Sequence, residues 1–159
     1  MTDLTSESTV YVIYIATTRE KLWVALTESA FTRQYFFGRA VESDWRTGSP
    51  WLLRRPDGVV DVKGEVRESA PPCKLVLSWR VDSSEEARKL PEAVVTYDIE
   101  PVGDGVVRLT MTEAHPTPIP AALLEGGRRG WPMILSGLKT WLETGQTLTT
   151  PGSLMYQQQ

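Results

Sequence analysis

Two side chains with acid–base chemistry, Glu113 and His115, stand at alternate positions near the end of a strand-like segment over 106–115. The preceding alternate positions of that segment are apolar: Val107, Leu109 and Met111. Because successive side chains of a strand point to opposite faces, the same period places Glu113 and His115 on the inward face. A carboxylate and an imidazole at this spacing are able to serve as a polar anchor or an acid–base pair at the mouth of a pocket. The alternative is a strand that ends at Thr112 and leaves both groups in solvent.

Aromatic and flexible apolar side chains accompany this pair in the predicted inward set. Trp79, Tyr97 and Met111 fall on inward positions of neighbouring strands, a mixture suited to an apolar pocket with few polar groups. Phe36 and Phe37 form an aromatic pair at the end of a short helix, where they would cover such a pocket. A close-packed core without a void explains the same residues and stays open as an alternative. The predicted pocket residues are Phe36, Phe37, Trp79, Tyr97, Met111, Glu113, His115, Trp131, Leu135 and Leu138.

Other common site chemistries lack the residues that they need. One histidine and one cysteine, His115 and Cys73, cannot supply a common structural zinc site, so no metal is predicted. The sequence has no Gly-x-x-x-x-Gly-Lys loop, no Gly-x-Gly-x-x-Gly motif after a strand and no Gly-x-Ser-x-Gly turn, so no cofactor is predicted. The distance along the chain from Cys73 to the histidine disfavours a thiol nucleophile. No catalytic residue is assigned on these grounds.

Length, charge and composition favour a single-domain globular protein. A chain of 159 residues buries about 70% of its unfolded surface. A net charge of −3 gives no support for a nucleic-acid partner, and no apolar run approaches the roughly 20 residues of a membrane span. The single cysteine and the absence of a visible signal peptide favour a cytoplasmic location. We expect one domain over 10–145 between a flexible N-terminus, 1–9, and a flexible tail, 146–159.

The order of the predicted elements gives the fold class. A strand over 10–15 is followed by two short helices, the first of which starts at a capping-box pattern formed by Thr17 and Glu20. Strands separated by turn residues follow over 40–44, 51–55, 59–68, 74–81, 93–100 and 106–115. A long amphipathic helix closes the chain, because apolar residues recur there at helical spacing. They are Trp131, Leu135, Leu138 and Leu142. Pro132 is expected in the first turn of this helix, with residues 120–130 as a separate piece.

This order is that of an α+β helix-grip fold, in which a curved antiparallel sheet wraps around a long C-terminal helix. Three segments carry a resemblance to a known family: YIATTREKLWVALTESAFTRQYFFG, GEVRESAPPCKLVLSW and GWPMILSGLKTWLETG. They resemble the opening, central and closing patterns of the activator of heat-shock-protein-90 ATPase homologue family, within the START-like (SRPBCC) superfamily. The resemblance covers about residues 10–145 and implies a cavity between helix and sheet that holds an apolar small molecule. In that family the place of Glu113 is often taken by histidine. Superfamily members include lipid carriers, polyketide cyclases and hormone receptors, so the resemblance does not fix one activity.

The first functional hypothesis is a non-catalytic binding protein for a small apolar or aromatic molecule. One alternative is an enzyme of cyclase, hydratase or isomerase type that uses Glu113, His115 or Tyr97. Another is a chaperone-interacting module that resembles the co-chaperone domain. We do not expect a chaperone partner, because the chain has no room for the co-chaperone's other domain. Trp51 and Trp141 are expected at margins of the core, which favours a homodimer.

Overall fold

The computed structural model describes residues 4–5 and 7–150. The strands are β1 (Leu4–Thr5), β2 (Ser8–Ile15), β3 (Ala40–Ser43), β4 (Pro50–Arg54), β5 (Val60–Ala70), β6 (Lys74–Val81), β7 (Ala93–Gly103), β8 (Val106–Ala114) and β9 (Ile119–Pro120). The helices are α1 (Arg19–Thr27), α2 (Ser29–Tyr35), α3 (Glu85–Arg88) and α4 (Ala121–Thr144). None of these helices combines the length and the apolar character needed to cross a bilayer. The predicted flexible ends fall in part on residues 1–3, 6 and 151–159, which lie outside the described residues.

Seven strands form one antiparallel sheet in the order β2-β8-β7-β6-β5-β4-β3. Strand β1 pairs separately with β9, which directly precedes α4. Register shifts in the β4–β5, β5–β6 and β7–β8 pairings mark irregularities of the kind that bend and twist a sheet. Buried residues of the sheet, the short helices and α4 belong to one hydrophobic core. The helix-grip architecture predicted from the element order is therefore confirmed.

The first helix begins one residue later than predicted. Thr18 Oγ1 accepts a hydrogen bond from the backbone N–H of Lys21 at 3.2 Å, so Thr18, and not Thr17, is the N-cap. The spacing of Thr17 and Glu20 matches a capping box, but Thr17 is buried in the structure and the adjacent Thr18 caps the helix. The strand before this helix, β2, begins at Ser8, two residues before the start of the predicted strand over 10–15.

Helix α4 runs without a break through Pro132. The prediction of a separate piece over 120–130, with Pro132 in a first turn, is therefore wrong. Proline removes one backbone donor from the helix, which is a local cost. Leu124 and Trp131 precede the proline on one buried face of the helix, and Leu135 continues that face beyond it. Packing of this face outweighs the local cost, because most helical stability in proteins comes from tertiary contacts.

Trp51 lies in the interior of the sheet and not at its edge, so its predicted place at a margin of the core is wrong. Its strand β4 has β3 on one side and β5 on the other, and its side chain is 2% exposed. Gly64 lies directly opposite Trp51 on β5. A Cβ at Gly64 would come within 2.0 Å of the Ser78 carbonyl oxygen, and the Trp51 indole N–H donates to that same oxygen at 2.8 Å. The sequence of a short strand does not show which strands flank it.

Candidate functional site

The alternation of β8 continues to Glu113, whose residue surface is 9% exposed. Glu113 therefore faces inward, as its spacing predicts, and the alternative of a solvated pair is wrong. Trp131 Nε1–H donates a hydrogen bond to Glu113 Oε2 at 2.6 Å. His115 Nε2 lies 3.2 Å from Glu113 Oε1, and the imidazole is the donor if the carboxyl group is ionised. The three side chains form one polar cluster that joins the end of β8 to α4.

A cavity of about 460 Å³ lies beside this cluster, between the sheet and the N-terminal half of α4. Its volume falls within the roughly 300–1,000 Å³ that small-molecule sites occupy. Predicted pocket residues that line it are Phe36, Phe37, Trp79, Glu113, His115 and Trp131. The fold thus brings the acid–base pair and all the predicted aromatic residues except Tyr97 to one cavity. That they bind a ligand stays a prediction.

Three aromatic rings form a connected apolar wall of this cavity. The Phe36 and Trp79 rings are stacked with centroids 6.2 Å apart. Trp131 meets Phe36 edge to face at 5.6 Å and lies 5.4 Å from Trp79. Behind them, Trp51 lies 4.9 Å from Trp79. Ring pairs at such separations stabilise one another, so the wall is held by its own contacts as well as by the core.

The other predicted pocket residues are buried in the core but are not among those that line the cavity: Tyr97, Met111, Leu135 and Leu138. Alternation along a strand predicts which face of the sheet a side chain lies on. It does not predict which part of α4 covers that side chain. Burial and, next, the negative charge of Glu113 raise the pKa of the Tyr97 phenol. Tyr97 is therefore protonated near neutral pH and is not placed to act as a base on a molecule in the cavity.

A buried arginine in the cavity wall was not predicted from the sequence. Arg39 is 3% exposed, and its Nε donates to Asp61 Oδ2 at 3.1 Å. Its Nη1 donates to the carbonyl oxygen of Phe37 at 2.8 Å, in the turn that ends α2. Phe37 and Gly38 both have positive φ there, 51° and 78°. A buried arginine needs such partners, and the available sequence signal was its place within the apolar run over 36–41.

Glycines of α4 create the space on the helix side of the cavity. Gly126, Gly127 and Gly130 all line it. A Cβ at Gly127 would lie 2.8 Å from Glu113 Oε1, so this position leaves room for the carboxylate. Glycine in a helix interior costs about 1 kcal/mol relative to alanine. These glycines lie in the segment over 120–130 that was predicted as a separate piece, whereas in the structure they belong to α4 and leave space for the Glu113 side chain and the cavity.

The fixed charges around the cavity balance. Arg39, Arg55, Asp61 and Glu113 line it, two of each sign. In the part of the chain that the structure describes, no group of three or more His, Cys, Asp or Glu side chains is placed to hold a metal ion. The arrangement therefore offers flat aromatic contacts, a few polar anchors and one carboxyl–imidazole pair.

The fold and the position of the cavity define an α+β helix-grip protein. Residues 16–143 match the family described as Activator of Hsp90 ATPase homolog 1-like protein, and the chain belongs to this family. The comparison with curated proteins gives no match.

Solved structures with the same fold include three that cover most of this chain. The HSP90 activator PFC0360w of Plasmodium falciparum has 21% sequence identity and a TM-score of 0.70, over 85% of this chain and 95% of that one. CalU16 of Micromonospora echinospora has 17% identity and a TM-score of 0.69, over 99% and 90%. The Aha1 dimer of Colwellia psychrerythraea has 17% identity and a TM-score of 0.68, over 87% and 98%. At these identities the likeness is one of fold.

Proposed function

We propose that this protein binds a small apolar or aromatic molecule in the cavity between the sheet and α4, without catalysing a reaction. The observation that carries the proposal is the wall formed by Phe36, Trp79 and Trp131 around a cavity of about 460 Å³. Removing apolar surface from water contributes about 25 cal/mol per Å². A flat ligand that covers these rings gains that term and favourable ring contacts together.

Glu113 already has protein partners on both of its oxygens, which supports binding over catalysis. Both oxygens of Glu113 have partners, Trp131 on Oε2 and His115 on Oε1. A general base must come within about 2.6–3.2 Å of the proton that it takes. A carboxylate held on both sides is suited to fix the orientation of a ligand.

Filling the cavity tests the binding proposal. A Cβ at Gly130 has no atom within 4 Å, so Gly130→Phe projects a ring into open space at the cavity wall. In calorimetric titrations with naphthalene, the parent should show saturable binding that Gly130→Phe abolishes. Ala122→Phe is the matched control, because Ala122 is exposed on the same helix and does not line the cavity. No binding by the parent, or equal binding by Gly130→Phe, would contradict the proposal.

An enzyme of cyclase, hydratase or isomerase type is the second candidate. The observation in its favour is the contact of Glu113 with His115 at the cavity wall, since a carboxyl and an imidazole group together are able to move protons. Ligands that copurify with the protein would be identified by mass spectrometry and incubated with it. Conversion that is lost in Glu113→Gln would favour the enzyme, and an unchanged rate in that variant would remove Glu113 from the mechanism.

A homodimer is proposed through a second, more open groove beside α1, α2 and the end of α4. Trp141 meets Phe31 edge to face at 6.3 Å there, and Val24 and Leu142 also line the groove. Trp51 no longer supports this proposal, because it is buried in the sheet. The fold relative from Colwellia psychrerythraea is described as a dimer. Sedimentation over a concentration series should give a dimer mass that Trp141→Ser lowers without unfolding the protein, whereas a constant monomer mass would contradict it.

Two further expectations remain proposals. The single cysteine favours a reducing, cytoplasmic location, and the composition favours one domain over 10–145. No chaperone partner is proposed, because the likeness to the Plasmodium falciparum activator is a likeness of fold alone.

A further inference from the structure

We infer that the cavity selects neutral aromatic molecules that carry a hydroxyl group, and that Glu113 accepts the hydrogen bond from that hydroxyl. This inference rests on the proposed binding function and adds the chemical class of the ligand to it. It is carried by the placement of the buried Glu113 carboxylate in the same cavity wall as the rings of Trp79 and Trp131.

Glu113 retains accepting capacity toward the cavity. Trp131 occupies one position on Oε2 and His115 one position on Oε1. A carboxylate has about four lone-pair sites, so two donors do not saturate it. A buried carboxylate is stabilised by each further donor, because burial removes most of the water that would otherwise solvate it. A hydroxyl on a ligand is a donor small enough to form a further hydrogen bond to Glu113 beside the aromatic rings.

The electrostatic influence of Glu113 reaches the neighbouring phenols. Burial and, next, the negative charge of Glu113 raise the pKa of Tyr11, against an opposing effect of Arg128. The same two causes raise the pKa of Tyr97. A ligand anion near Glu113 would experience the same repulsion, whereas a neutral hydroxyl gains a charge-assisted hydrogen bond.

The cationic side chains of the cavity are not available to neutralise the charge of an anionic ligand, because each is already in an ion pair. Arg39 is bound to Asp61 at 3.1 Å, and Arg55 is bound to Asp57. A ligand carboxylate would have to compete with these ion pairs while facing Glu113. An ammonium group would have to lose its hydration beside Arg39 and Arg55, which costs far more than burying a hydroxyl. The balanced lining therefore favours a neutral ligand.

Four naphthalene probes of similar shape test this selectivity by calorimetry. The hydroxyl of 2-naphthol donates, whereas 2-methoxynaphthalene presents an oxygen that cannot. We expect 2-naphthol to bind about tenfold more tightly than 2-methoxynaphthalene, the equivalent of one net hydrogen bond. The anion 2-naphthoate and the cation (2-naphthyl)methylammonium should both bind more weakly than 2-naphthol. Tighter binding of either ion would overturn the selection of neutral ligands.

Two variants separate the role of Glu113 from the apolar contacts. Gly127→Ala presses a methyl group against Glu113 Oε1 without changing its charge, and Glu113→Gln replaces one accepting oxygen by a donor. Each should bring the ratio of 2-naphthol to 2-methoxynaphthalene affinity to about one and leave naphthalene affinity within about threefold of the parent. Gly103→Ala is the control, because a Cβ there has no atom within 4 Å and Gly103 does not line the cavity, so this variant should keep the tenfold ratio.

The outcomes distinguish this inference from the function on which it rests. Equal affinity of the parent for 2-naphthol and 2-methoxynaphthalene would overturn the hydroxyl selectivity and leave the binding proposal standing. An unchanged ratio in both Gly127→Ala and Glu113→Gln would overturn the role of Glu113. Failure of every probe to bind the parent would overturn the binding proposal and the inference together.

Discussion

The indole N–H of Trp131 on α4 donates a 2.6 Å hydrogen bond to Glu113 Oε2 at the end of β8. Both residues are buried, at 4% and 9% exposure, so the bond forms largely out of contact with bulk water. A buried carboxylate is costly without donors, and a buried indole N–H is costly without an acceptor. Trp131 therefore supplies the donor that the buried carboxylate requires, and Glu113 supplies the acceptor that the buried indole requires. The pair links α4 to the sheet at the cavity wall.

Replacing Trp131 by the smaller Phe, which has no N–H, should measure this link. Trp131→Phe keeps an aromatic ring but leaves Glu113 Oε2 without its donor, and we expect a loss of about 1–3 kcal/mol in the free energy of unfolding. Trp131→Ala also removes the buried ring and should cost about 3–5 kcal/mol. Urea denaturation gives both values. If Trp131→Phe unfolds at the same free energy as the parent, the hydrogen bond does not contribute to stability.

Two neighbouring glycines of α4 should respond in opposite directions. Gly126→Ala meets no atom within 4 Å and should stabilise the protein by about 0.5–1 kcal/mol, the ordinary gain in a helix. Gly127→Ala places its Cβ 2.8 Å from Glu113 Oε1 and should destabilise the protein, because the carboxylate must leave its hydrogen-bonded position. Thermal unfolding of the two variants decides. Equal stabilisation by both would show that the space at Gly127 is not required by Glu113.

The buried ion pair of Arg39 should contribute more to the free energy of unfolding than an exposed ion pair does. Arg39→Met leaves Asp61 without its guanidinium partner at a site where Arg39 is almost fully buried, and we expect a cost of about 3 kcal/mol. Arg54→Met breaks a pair with Glu42 that is open to solvent and should cost less than about 1 kcal/mol. Chemical denaturation compares the two. Equal small losses would mean that Arg39 is solvated despite its place in the wall.

Stability should fall at alkaline pH because of buried tyrosines. Burial raises the pKa of Tyr35 and Tyr97 above the ordinary value of 10.0. A raised folded-state pKa contributes stability that is present below the unfolded pKa and lost as pH rises toward the folded value, so the free energy of unfolding should decline above about pH 10. Tyr97→Phe removes one of these groups and should give a shallower decline. Urea midpoints from about pH 9 to about pH 11 measure the slope, and identical slopes for the parent and Tyr97→Phe would refute the assignment.

Periodicity predicted the parts of the fold that depend on one face of one element. Alternation along β8 correctly carried the inward face to Glu113, and helical spacing correctly placed Trp131 in the core. Both predictions needed only local geometry, because the period of a strand or helix determines which side chains share a face.

Features that depend on contacts between two distant segments could not be predicted from the periodicity of one segment. The burial of Arg39 requires Asp61 on β5, and no local pattern announces that pairing. Pro132 was predicted to lie in the first turn of a helix, yet α4 continues through it because its apolar face is buried on both sides of the proline. Tyr97 faces inward as predicted but is not among the residues that line the cavity, since its depth depends on where α4 crosses the sheet.

An NMR titration that follows the tryptophan indole N–H signals as naphthalene is added tests most directly whether the cavity under α4 binds aromatic molecules. Trp79 and Trp131 line the cavity, whereas Trp141 lies in the separate groove beside α1 and α2, which makes it the internal control. We expect saturable shifts of the Trp79 and Trp131 signals, with the Trp141 signal unmoved at the same concentrations. Shifts that do not saturate, or that arise first at Trp141, would show that the cavity under α4 is not a binding site for aromatic molecules.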